Sequence, residues 1–141
     1  MNTGELERAA SGSCPSRLSA GKRILLIEDD PHVAETFAEL LELEGYRVMV
    51  VHDAAAGLDA VRRNLTDVVL CDLTLHGEMD GFDFARACRA DPDLCGLHLL
   101  AVSGYDRPED RLRAQSAGFD ELIGKPVDID RVHVVINEGR P

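Results

Sequence analysis

The chain has 141 residues, enough for one domain with a hydrophobic core and too few for two ordinary ones. Hydrophobic residues make up 45% and charged residues 29%, the balance of a soluble globular protein. No apolar run is long enough to span a bilayer, and the opening stretch MNTGELERAASGSCPSRLSAG has no signal-peptide core, so a cytoplasmic location is expected. With 26 acidic against 15 basic side chains the net charge is −11, which repels a phosphate backbone and argues against nucleic-acid binding.

Residues 1–21 are rich in Ser, Ala and Gly, show no sustained period, and read as a flexible lead. Ile24 to Ile27 is an apolar run bounded by charge, as in a strand buried on both faces. Val33, Phe37, Leu40 and Leu41 then recur at helical spacing, and Gly45 is a natural stop. Tyr46 to Val51 reads as a second strand. Leu58, Val61 and Leu65 mark a second helix, with Asp53 as its N-cap. Val68 to Cys71 is a third buried strand that ends at Asp72. The loop LTLHGEMDG leads into a helix with Phe84, Ala85 and Cys88, which stops before Asp91-Pro92. Leu97 to Val102 is the fourth strand. Arg107 to Ala117 forms a polar helix with Pro108 in its first turn and few apolar anchors beyond Leu112. Phe119 to Ile123 is the fifth strand, and Ile129, Val132 and Ile136 line a last helix.

Strands alternating with helices imply a parallel sheet with right-handed crossovers and helices on both faces, a doubly wound α/β fold. Cys14, Cys71, Cys88 and Cys95 have no C-x-x-C spacing and read as reduced small hydrophobes, mostly buried. In such sheets ligands bind beyond the carboxyl ends of the strands. That rim carries Glu28, Asp29 and Asp30 after the first strand, Asp72 after the third, Ser103 at the end of the fourth, and Lys125-Pro126 after the fifth. Each has a plain alternative: Asp30-Pro31 is a helix start, Asp72 could cap a turn, Ser103-Gly104 is turn chemistry, and a lone lysine is ordinarily at the surface. Their joint placement at one end of one sheet is harder to dismiss. Converging carboxylates repel unless a cation is present, and a hard oxygen-seeking ion such as Mg²⁺ meets that need. Phosphoryl transfer follows, with a carboxylate nucleophile and cations neutralising the phosphoryl oxygens.

The blocks ILLIEDD, VVLCDL with MDGFDF, AVSG, and AGFDELIGKPV, taken in order, make the chain resemble the receiver domains of two-component response regulators from about Lys22 to Glu138. The resemblance implies a receiver domain over 22–138 and a flavodoxin-like sheet of order 2-1-3-4-5. It implies Asp72 as phosphoacceptor, Mg²⁺ held by Glu28, Asp29, Asp72 and the Thr74 carbonyl, and Ser103 and Lys125 as partners of the phosphoryl group. It also implies a cis Lys125–Pro126 bond. The expected donor is a histidine kinase or histidine phosphotransfer protein, with a downstream protein partner. The chain would be a signalling phosphoacceptor that catalyses its own phosphorylation and dephosphorylation, not an enzyme with a separate substrate.

Three departures stand out. Leu122 occupies a fifth-strand position that often holds Tyr or Phe, so coupling through an aromatic rotation is in doubt, and Tyr105 is best read as a surface aromatic. The loop after Asp72 is about one residue longer than the common form, with His76 where Pro often stands; it reads as an exposed histidine. No output domain follows the fold, so a stand-alone receiver is expected. The alternatives are a receiver cut from a hybrid histidine kinase and a pseudo-receiver interaction module. A small-molecule phosphatase with an aspartyl-phosphate intermediate is a further class, disfavoured because Thr74 stands where such enzymes place a second carboxylate.

Overall fold

The apolar runs are buried on two faces of one sheet. The computed structural model describes residues 21–63 and 65–140, so all of the predicted lead except Gly21, and Cys14 with it, lies outside them. Five strands and five helices alternate: β1 (Arg23–Ile27), α1 (Pro31–Leu43), β2 (Arg47–Val51), α2 (Ala54–Arg62), β3 (Val68–Asp72), α3 (Gly81–Ala90), β4 (His98–Ser103), α4 (Pro108–Ala117), β5 (Glu121–Gly124) and α5 (Ile129–Glu138). The strands are all parallel in the order β2-β1-β3-β4-β5, the expected 2-1-3-4-5.

Side-chain alternation along each strand divides the core. Leu25, Ile27, Val69, Cys71, Leu99, Ala101 and Leu122 face a cluster built with α2, α3 and α4. Ile24, Leu26, Val68, Leu70, Leu100, Val102 and Ile123 face the other, with Phe37 and Leu41 of α1 and Val132 and Ile136 of α5. A strand covered on both sides needs apolar residues at every position, which is why β1 and β3 read as unbroken runs. Each buried Leu or Ile contributes roughly 1.5–3 kcal/mol relative to exposure.

Helix starts follow the sequence closely. The Asp30 carboxylate accepts the His32 and Val33 N–H groups ahead of Pro31, and Asp53 accepts from Ala56. Asp80 and Asp83 form a reciprocal capping box at α3. Gly81 is required there, because a Cβ would lie 2.9 Å from the Asp72 carbonyl oxygen and 3.1 Å from the Leu73 Cα.

Four expectations are corrected. β5 begins at Glu121, because Phe119 still bonds through its N–H to the Ala114 carbonyl as α4 ends. Leu65 lies beyond α2, its N–H bonded to the Ala60 carbonyl. In α1 the buried stripe is Ala34, Phe37 and Leu41, while Val33 and Leu40 are 44% and 43% exposed. Leu112 does not anchor α4 either: it is 63% exposed, and the buried residues are Ala114 and Ala117. Arginines fasten α4 instead, Arg113 lying over the Phe82 ring at 4.1 Å and Arg111 donating to the Leu122 carbonyl at 3.1 Å. Cys71 and Cys88 are buried free thiols as expected, whereas Cys95 is exposed.

Candidate functional site

Strand register assembles the site. Ile27 pairs with Cys71, Asp72 with Val102, and Ser103 with Gly124, so the residues at or just past these positions share one rim. There Glu28, Asp29 and Asp72 each place an oxygen within 4.8 Å of the others. Lys125, directly after β5 and joined to Pro126 by a cis bond, sets its Nζ 3.3 Å from Asp72 Oδ2 and 3.8 Å from Glu28 Oε1. Asp30, the fourth carboxylate of the predicted rim, is spent on capping α1.

Three carboxylates thus face one ammonium. Glu28 and Asp72 are buried, at 5% and 3% exposure. Lost hydration pushes the Glu28 carboxyl up to about 7; the Asp72 charge and a side-chain hydrogen bond with it push the same way, against the Asp30 N–H and Lys125. Asp29 goes the other way. Burial would raise it, but the hydrogen bonds from the His76 side chain and main chain outweigh that and hold it below the usual carboxylate range. Asp72 Oδ1 accepts both the Thr74 N–H and the Thr74 hydroxyl at 2.9 Å, which leaves Oδ2 on the side of Lys125.

The donor set fits a hard divalent cation. It is all oxygen, it converges, and a bound cation would compensate the Glu28 charge that lost hydration, and after it the Asp72 charge, disfavours. Ser103 is buried on the same rim, its hydroxyl oxygen accepting the Tyr105 N–H at 3.0 Å, and it lines a cleft with Thr74, Asp80 and Tyr105. Leu122 is buried, and Tyr105 is 64% exposed. Two contributions escaped the sequence reading. The Thr74 side chain bonds Asp72, and His76, though 92% exposed, is bonded through its imidazole Nδ1 to Asp29. The added loop residue was the available signal for the second, but its destination lies 47 positions away in sequence.

A parallel doubly wound sheet with an acidic pocket and a lysine at its carboxyl rim is the arrangement that the receiver resemblance implies. The family model for the response regulator receiver domain matches residues 24–137, and this chain belongs to that family. It is 35% identical over 105 residues to an uncharacterized 14.6 kDa protein of Leptolyngbya boryana, covering 74% of this chain and 79% of that one. It is 32% identical over 109 residues to the probable transcriptional regulatory protein TcrX of Mycobacterium tuberculosis, covering 77% of this chain and 45% of that one. The DNA-binding response regulator MtrA of Mycolicibacterium smegmatis is 35% identical over 105 residues, with 74% and 44% covered. The chain therefore spans about half the length of these two regulators. Among solved structures, the magnesium-bound receiver domain of a Pseudomonas aeruginosa PAO1 sensor histidine kinase superposes with a TM-score of 0.77 at 27% identity, covering 85% of this chain and 98% of that one. A CheY-like receiver domain protein of Methanospirillum hungatei gives 0.74 at 28% identity, with 84% and 93% covered. Among the described residues no helix is long and apolar enough to cross a membrane.

Proposed function

We propose that Asp72 is the phosphoacceptor of this receiver, taking a phosphoryl group from the phosphohistidine of a kinase or a phosphotransfer protein. The convergence of Glu28, Asp29 and Asp72 within 4.8 Å, with Lys125 Nζ 3.3 Å from Asp72, carries the reading. With Oδ1 clamped by Thr74, Oδ2 of Asp72 is the attacking oxygen. An O–P bond forms to the aspartate as the N–P bond to the donor imidazole breaks, and the leaving nitrogen keeps the electron pair. Lys125 follows the charge from carboxylate to phosphoryl oxygen, and Ser103, whose oxygen accepts from Tyr105, has its own proton to donate to another. Glu28, Asp29, Asp72 and the Thr74 carbonyl would hold a Mg²⁺ ion, which would supply the remaining charge neutralisation.

The same residues serve hydrolysis of the acyl phosphate, so the domain catalyses its own phosphorylation and dephosphorylation and needs no separate substrate. Thr74 supports this over a small-molecule phosphatase, since its hydroxyl bonds Asp72 where a second carboxylate would be needed. A donor histidine must reach Asp72 from the rim. An apolar groove lined by Val33, Phe37, Leu40, Pro126 and Ile129 runs to Glu28, Asp72 and Lys125, and fits a partner surface docking beside the reacting atoms. α4, whose buried side chains are the small Ala114 and Ala117, is the element whose packing shifts for a downstream partner. Equal amide-exchange protection of α4 with and without a phosphoryl mimic would contradict that last point.

Intact mass after incubation with Mg²⁺ and a small-molecule phosphodonor tests the reading. The expected result is a metal-dependent gain of one phosphoryl group, absent in Asp72→Asn. No gain with any donor, partner kinase included, would leave the pseudo-receiver reading.

A further inference from the structure

Two carboxylates of the site are held in the same way, by two residues of one loop. On Asp72, Oδ1 accepts both the main-chain N–H and the side-chain hydroxyl of Thr74. On Asp29, Oδ2 accepts both the main-chain N–H of His76, at 3.1 Å, and its imidazole Nδ1. An ionised carboxylate only accepts, so Nδ1 carries the proton that faces Asp29. In each case one oxygen is engaged twice, which fixes the plane of the carboxylate and leaves the other oxygen for a different partner. For Asp72 that partner is Lys125, at 3.3 Å from Oδ2. For Asp29 the oxygen left over is Oδ1, on a carboxylate that converges with Glu28 and Asp72.

We propose that His76 is a positioning residue for the metal site, clamping Asp29 as Thr74 clamps Asp72, so that the loop between β3 and α3 presets two of the three carboxylate ligands. The inference rests on reading Glu28, Asp29 and Asp72 as the cation site. Groups that hydrogen-bond metal-ligating carboxylates typically change metal affinity about 10- to 100-fold when removed. The imidazole is 92% exposed, so solvent competes for its bond, and the main-chain donor survives any ordinary substitution. Both place the effect at the lower end, about tenfold. Proline at position 76 would have neither an imidazole nor an N–H, so the clamp belongs to this loop's own sequence. A direct metal–imidazole bond is the competing role, and it would favour nitrogen-preferring ions over Mg²⁺.

Calorimetric titration of the full chain with Mg²⁺ and, separately, Co²⁺ distinguishes these. For His76→Ala the expected result is a loss of about tenfold for both ions, with an unchanged urea unfolding midpoint in chelator. His76→Asn, which offers an amide N–H near the place of Nδ1, is expected to recover most of the loss. Unchanged Mg²⁺ affinity in His76→Ala would overturn the proposal, and so would a loss confined to Co²⁺, which would make His76 a ligand. Wild-type protein that binds no Mg²⁺ would overturn the site itself along with the clamp. Wild-type binding that is lost in Asp72→Asn but kept in His76→Ala would overturn the clamp alone.

Discussion

The two ends of the sheet both bury charge, and they treat it in opposite ways. At the amino end Asp120, its side chain 7% exposed, accepts from Arg89 Nη2 at 3.1 Å, Arg140 Nε at 3.0 Å and the Leu99 N–H at 2.9 Å. Arg89 also donates to the carbonyls of Gly118, Cys95 and Leu97, each at 2.8 Å. Burial lowers the Arg89 guanidinium from its ordinary value, and Asp120 opposes that shift. One anion thus meets two cations, with the neighbouring backbone acceptors filled. At the carboxyl end three carboxylates meet one lysine, and burial, with the Asp72 charge adding to it, pushes the Glu28 carboxyl up to about 7. A satisfied buried network orders the structure, whereas an uncompensated one leaves charge that a cation would complete. The same fold therefore separates support from function along the strand axis.

The largest expected effect is at the satisfied end. Asp120→Ala removes the carboxylate that Arg89 and Arg140 share, and should cost about 3–5 kcal/mol in urea unfolding, as for a broken buried pair. A loss below about 1 kcal/mol would mean that solvent already pays the network's role there. At the other end the direction reverses. Mg²⁺ at a hundred times its dissociation constant should add about 2.7 kcal/mol to stability. That increment should shrink sharply in Glu28→Gln.

Without metal, Glu28 sets a pH dependence whose sign can be worked out. Its folded value, about 7, lies above the ordinary 4.5, so the folded state binds more protons than the unfolded state between those values. Stability should therefore fall as pH rises from about 4.5 to 7, by on the order of 2 kcal/mol, then level off. Denaturant titrations in chelator across that range should show the slope in wild type and a flatter curve for Glu28→Gln. His98, whose imidazole burial lowers, adds an opposite slope to both proteins, so identical curves for wild type and Glu28→Gln would contradict the uncompensated pocket. The smallest effect belongs to Leu112→Ala, which should change stability by less than about 0.5 kcal/mol because that side chain is 63% exposed.

Much of this architecture was legible in the chain. The unbroken runs ILLI and VVLC announced strands covered on both faces, and Asp30, Asp53 and Pro108 marked helix starts that the structure keeps. Glu28, Asp29, Asp72, Ser103 and Lys125 could be brought to one rim because every strand of a parallel doubly wound sheet ends on the same side. Periodicity failed where it could not tell which apolar residues lack a covering neighbour. Val33, Leu40 and Leu112 fit helical spacing but lie in a groove or face water. Long-range pairing was hidden for a different reason. Asp120 and Arg89 lie 31 positions apart and His76 and Asp29 lie 47 apart, and neither pair has a local pattern. The clamps also depend on hydrogen-bond geometry within a loop, which no spacing rule encodes.

Locating the phosphoryl group tests directly whether Asp72 accepts it. Protein treated with Mg²⁺ and a small-molecule phosphodonor would be reduced with borohydride, which converts an aspartyl phosphate to homoserine, and its peptides read by mass. The expected result is homoserine at position 72 and at no other aspartate, and none when Mg²⁺ is withheld. Modification at Asp29 or elsewhere with Asp72 intact would contradict it.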